Sequence, residues 1–79
     1  MPTYYFDICE GQSLPDKQGL ELKSLVEAKA HAITIAMTYL HQPSVEFWRD
    51  HAWSVGIREQ GRGLLFQLDV SVTQMEEPI

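Results

Sequence analysis

The feature that most constrains this chain is the stretch from Ser24 to Gln42, SLVEAKAHAITIAMTYLHQ, its one long segment with helical periodicity. Ser24 followed three residues later by Glu27 forms the S-x-x-E capping box, in which each side chain can satisfy a backbone donor of the first turn. Pro43 stops the helix, because it cannot continue the hydrogen-bond ladder. At about 100° per residue, Glu27, His31, Thr34, Thr38 and His41 share one polar arc. Leu25, Ala28, Ala32, Ile35, Ala36 and Tyr39 form one apolar flank, and Val26, Ala30, Ile33, Met37 and Leu40 form another. Only Lys29 interrupts them. A helix lying on one sheet needs an apolar stripe of a little over 100°, and this one is apolar over roughly two-thirds of its circumference. The alanine flank therefore predicts a sheet beneath it. The second flank predicts a further cover, either the segment after the helix or another subunit.

The sheet is legible in the remaining segments. Thr3 to Cys9 (TYYFDIC) alternates as a strand, with Tyr4, Phe6 and Ile8 on one face and Tyr5, Asp7 and Cys9 on the other. A reversal follows at Glu10 to Ser13, then Leu14 as the start of a short return strand. Pro15 and Asp16-Lys17-Gln18-Gly19 make a second turn, and Leu20-Glu21-Leu22 alternates briefly. After the helix, Ser44 to Asp50 reads as one short helical turn whose Phe47 and Trp48 can fold back over the main helix. Ala52 to Glu59 alternates again, with Trp53, Val55 and Ile57 inward. Glu59 to Gly63 is a glycine-containing hairpin turn. In Leu64 to Val72, Leu64, Phe66, Leu68, Val70 and Val72 face one way and Leu65, Gln67, Asp69 and Ser71 the other. One-sided alternation in every strand predicts a small antiparallel sheet of three to four strands in ββαββ order, with the helix on one face. The fold class is α+β, a single domain over residues 1–79 with a frayed acidic tail from about residue 73.

Composition narrows function mainly by exclusion. Seventy-nine residues can bury roughly 60 % of their extended surface, enough for one modest core. The six lysines and arginines are scattered and the net charge is −5, so no basic face is expected to meet nucleic acid. No window approaches the roughly 20 apolar residues of a membrane span. A lone cysteine, Cys9, and the lack of a signal-like start predict a soluble cytoplasmic protein without an internal disulfide.

Candidate chemistry is thin. His31, His41 and His51 stand ten residues apart, not at the i, i+4 spacing that sets two imidazoles on one helix face, so no metal is expected. Cys9 has no cationic neighbour in sequence that would activate its thiol. Asp7, Glu10, Asp16 and Glu21 could gather around the first hairpin, where turn formation and solvation explain them without acid–base catalysis. Gly61 and Gly63 join two strands, whereas a phosphate loop must open onto a helix. No enzyme activity and no cofactor is expected. The residues that suggest binding are apolar and aromatic: Val26, Ile33, Met37 and Leu40 on the second helix flank, Phe47 and Trp48 after it, and Tyr5 out of register with the core.

Two resemblances accompany this reading. The opening Met-Pro-Thr-Tyr-Tyr-Phe-Asp-Ile, the Asp16-x-x-Gly19-x-Glu21-Leu22 turn leading into Ser24-Leu25-x-x-Ala28, and the final hairpin resemble a family of short bacterial proteins catalogued as a domain of unknown function. That resemblance implies a ββαββ domain and transfers no catalytic residue; the aromatics between Val45 and His51 depart from its usual pattern. Pro15-Asp16 through Gly19, with Ser24-Leu25-Val26-Glu27-Ala28, is similar to the P-D-x-x-G…E-A stretch of HicB-type antitoxins, whose partial RNase H-like fold binds and masks a small toxin. The expected function is a non-enzymatic interaction or structural domain that self-associates, with an antitoxin-like module for a small protein partner as the alternative.

Overall fold

A computed structural model describes residues 1–41 and 52–71. The expected short turn at Ser44 to Asp50, with Phe47 and Trp48, and the tail from residue 73 lie outside the described residues, as does His51. The elements are β1 (Thr3–Cys9), β2 (Ser13–Leu14), β3 (Leu20–Glu21), α1 (Leu25–His41), β4 (Ala52–Glu59) and β5 (Gly63–Ser71). They form an antiparallel sheet in the order β2-β1-β4-β5 with one helix on one face, and β3 also pairs with β1. The α+β class and the ββαββ order are as the periodicity predicts.

The first hairpin is built differently from a simple return strand. β2 pairs with the Ile8–Cys9 end of β1 and β3 with its Thr3–Tyr4 end, so both run along the same edge as two halves of one interrupted strand. Between them the Pro15–Gly19 loop leaves the sheet. The Asp16 carboxylate fills the gap, its Oδ2 accepting the Phe6 N–H at 3.1 Å. A side chain thus completes the ladder where the backbone has departed, satisfying a donor that would otherwise be stranded at a part-buried position.

The core forms where β1 and β4 face α1. Tyr4, Phe6, Trp53, Val55 and Ile57 are buried beneath Ala28, Ala32 and Ala36. Alanine at every fourth position gives the helix a smooth ridge, which allows the aromatic and branched side chains of the sheet to fill the space below it. Leu25, Ile35 and Tyr39 pack around the ridge, with the Tyr39 ring 5.2 Å from that of Trp53. The helix starts as expected, the Ser24 hydroxyl accepting the Glu27 N–H at 3.4 Å. Glu27 reaches one residue further back than a standard capping box, to the Lys23 N–H at 3.0 Å.

Two sequence expectations change. A β-bulge sets Ile57 opposite Phe66 and Arg58 opposite Leu64, leaving Leu65 without a pairing partner. The alternation of β5 is therefore reset: Leu64 joins the outer face beside Arg58, and Leu65 packs against the core. His31 leaves the solvated arc, because its ring lies edge-on to Phe6 at 4.7 Å and it is half-buried.

Candidate functional site

Two surfaces carry the side chains that structure formation alone does not obviously require. The first is the outer face of the sheet. Antiparallel register places Tyr5 opposite Arg58 and Asp7 opposite Gly56. Gly56 has no side chain of its own; a Cβ there would meet Leu64 Cδ1 at 3.0 Å. The Arg58 guanidinium lies over the Tyr5 ring at 4.8 Å. It also grips Asp7 through two donors, Nε to Oδ2 and Nη2 to Oδ1 at 3.1 Å, while Nη2 reaches the Asp16 carbonyl at 3.2 Å.

Asp16 closes the cluster. Its N–H donates to Asp7 Oδ1 at 2.8 Å, and its own Oδ1 accepts from the Gln18 and Gly19 N–H groups at 3.0 and 3.2 Å. Gly19, at φ 76, sits so close that a Cβ would meet Thr3 Cγ2 at 2.7 Å and Tyr5 Cε2 at 2.8 Å. The Arg58 hydrogen bond holds the Asp7 carboxyl below the usual carboxylate range against the opposing effect of burial. For Asp16, burial pushes upward, and the N–H donors of Gln18, Phe6 and Gly19 outweigh it, so this group too is held low. Asp7 in turn raises Arg58.

The chemistry of this cluster is inward. Arg58 spends its charge on Asp7, and the Asp16 carboxylate spends its lone pairs on backbone donors, so the network ties the Pro15–Gly19 loop to β1 and β4. The adjoining groove of about 260 Å3 is lined by Asp7, Cys9, Ser54, Gly56, Leu64 and Gln67 among others. Of the carboxylates expected near the first hairpin, Asp7 and Asp16 do come together. Arg58, 51 positions from Asp7, was not foreseen with them. Its alternation in β4 placed it on the outer face, but the pairing of β4 with β1 that brings it to Asp7 is a long-range fact. Among the described residues no three His, Cys, Asp or Glu side chains gather as metal ligands.

Tyr5, expected as an interface candidate, is half-buried between Gly19 and Arg58. The Pro15-Asp16…Gly19 stretch that carries the likeness to antitoxins is accounted for by this local packing.

The second surface is the helix side turned away from the sheet. Val26 is 75 % exposed, Ile33 48 %, Met37 66 % and Leu40 36 %, and Ala30 is exposed between them. These five follow one another at alternating intervals of four and three residues, the spacing of a seam that packs against another helix. Lys29 separates the seam from the core face, its ammonium 4.7 Å above the Phe66 ring. Beyond the seam, the Thr34 and Thr38 hydroxyls donate back to the carbonyls of Ala30 and Thr34 at 3.2 and 3.0 Å. Their hydrogen-bond demand is met within the helix, so an apolar partner need not supply it. Thr34, Met37, Thr38 and His41 line a shallow depression there. Among the described residues, no helix is long and apolar enough to cross a membrane.

No curated protein and no solved structure matches this chain. The family described as a domain of unknown function, DUF6894, matches residues 3–71. That span runs from the first residue of β1 to the last of β5 and takes in the aspartate–arginine cluster together with the whole helix seam, and the chain belongs to this family.

Proposed function

We propose that this protein is a non-enzymatic interaction domain that self-associates through the exposed side of α1, in the cytoplasmic setting that suits its exposed free thiol, Cys9. The observation that carries the reading is the line of Val26, Ile33, Met37 and Leu40, exposed on the helix side away from its sheet. Single exposed apolar residues such as Leu14 or Leu20 are ordinary on a protein surface. A contiguous seam of them marks an interaction site.

Magnitudes support a modest association. Full burial of such a side chain is worth roughly 1.5–3 kcal/mol, and Ile33, Met37 and Leu40 of each copy have only part of their surface left to bury. Association itself costs roughly 4–15 kcal/mol. The surplus suits a reversible complex. The outer-face cluster supports the non-enzymatic part of the reading, since its charged groups are spent on one another and on the loop.

The test is the solution mass of the purified protein by light scattering or sedimentation across about 1–100 µM, the range in which such a surplus acts. The wild type is expected to shift from monomer to dimer, and Ile33→Glu, at an exposed position, to stay monomeric. A wild type that is monomeric throughout overturns the reading.

A second reading, a module that binds a small protein partner in the antitoxin manner, draws on a different feature. Among the described residues β5 pairs with β4 alone, which leaves its far edge open to an added strand. Purification from the native host would then yield a stoichiometric second polypeptide that survives Ile33→Glu. Recovery of the chain alone counts against it.

A further inference from the structure

Resting on the self-association reading, we infer that the partner of α1 is α1 of a second copy running antiparallel to it about a two-fold axis, with Ala30 facing Leu40 of the other copy and Ile33 facing Met37. Three observations support this arrangement, the first by admitting a helix partner of either direction and the other two by favouring the antiparallel one. The first is the spacing: Val26, Ala30, Ile33, Met37 and Leu40 alternate by four and three residues, and in an antiparallel helix pair the two kinds of seam position lie side by side across the interface.

The second is size. Parallel helices would set Ala30 against Ala30 and Met37 against Met37, one thin layer and one thick. The antiparallel register sets the small Ala30 against the larger Leu40, and Ile33 against Met37, so each layer has a similar width. Even layers are what close packing requires.

The third is charge. Glu27 stands in the first turn of α1 and His41 in the last, both exposed and both on the Thr34 side of the seam. In the antiparallel register Glu27 of each copy lies beside His41 of the other. The helix dipoles then oppose one another, which favours the pair, whereas parallel helices would align them side by side. The Glu27 carboxylate receives the Lys23 N–H through Oε1, and its second oxygen is available to the imidazole.

Cysteine pairing tests the direction of the helices. With Cys9→Ser as background, chains carrying Ala30→Cys or Leu40→Cys are oxidised separately and mixed. The mixture is expected to give a disulfide-linked dimer between the two kinds of chain, and Leu40→Cys alone to give none, since at about 1.5 Å per residue its two copies lie far beyond disulfide reach. Efficient cross-linking of Leu40→Cys to itself overturns the antiparallel arrangement, as does a dimer by mass that cross-links in neither experiment. A second measurement needs no cysteine. His41→Lys is expected to tighten the dimer about two- to five-fold and His41→Glu to loosen it by a similar factor, the range of an exposed ion pair; the opposite order counts against the inference. A wild type that stays monomeric defeats the self-association reading itself, so the two failures are distinguishable.

Discussion

At Gly19 two requirements meet at one atom. The backbone adopts φ 76, and the space a side chain would enter is already held by Thr3 and Tyr5. Gly19→Ala should therefore cost more than the roughly 1 kcal/mol typical of a left-handed position alone, and Gly61, at φ 83 with nothing within 4 Å, provides the control. Denaturant unfolding is expected to place Gly19→Ala at least about 1 kcal/mol below Gly61→Ala; equal losses would mean that the Tyr5 ring simply moves aside. Asp16 is constrained by acceptor count. Oδ2 serves Phe6 while Oδ1 serves Gln18 and Gly19, so an asparagine must turn its amide nitrogen toward one set of donors. Asp16→Asn and Asp16→Ala should then be about equally destabilising, by about 1.5–3 kcal/mol each for loss of hydrogen bonds to a charged group. The same carboxylates set a pH dependence. Asp7 and Asp16 are held below the ordinary value of 3.8, so the unfolded chain takes up protons first as the pH falls. Their stabilisation is complete above that value and is lost as the pH drops through their lower native values. Thermal unfolding from pH 7 to pH 2 should show a fall in stability beginning near pH 4 that is shallower in Asp16→Asn.

At the scale of elements, α1 was the easiest to read and its surroundings the hardest. Local signals define it: Ser24 as cap, alanines at every fourth position, Pro43 beyond its end. Ser24→Ala removes the acceptor of the Glu27 N–H and should cost about 0.5–2 kcal/mol, read as a lowered denaturation midpoint with an unchanged slope. The inward faces of β1 and β4 were equally legible, because alternation with a period of two is a local property. What could not be read was pairing. The bulge that turns Leu64 outward and Leu65 inward leaves no mark in a run of apolar residues, where either alternation looks consistent. His31 was misplaced for a related reason: an imidazole on a helix flank can face water or lie against a ring, and the choice depends on Phe6 in a different element. Likewise the outer-face cluster joins residues from β1, its following loop and β4. Sequence spacing suggested the carboxylate half of it, and only the sheet register supplied Arg58.

The whole molecule combines a small core with a helix that has two apolar flanks, and these are linked energetically. A chain of 79 residues buries a smaller fraction of its surface than a larger domain and has correspondingly little stability to spare. The core flank of α1 is spent on the sheet, where Ala28, Ala32 and Ala36 lie over Val55 and Ile57. The seam through Val26, Ile33, Met37 and Leu40 contributes nothing to that core while it stays exposed, yet it belongs to the same rigid helix. A partner that binds the folded helix and not the unfolded chain must therefore stabilise the fold by mass action. If the partner is a second copy, the melting temperature should rise with protein concentration: for a domain of this size each 1 kcal/mol gained is worth about 4–8 °C. Ile33→Glu should abolish that dependence while leaving the melting temperature at the lowest concentration close to that of the wild type, because residue 33 faces away from the sheet. A melting temperature independent of concentration in both proteins would show that the seam is not joined to a second copy under those conditions. A fall in Ile33→Glu at every concentration would show instead that the seam supports the fold of the single chain.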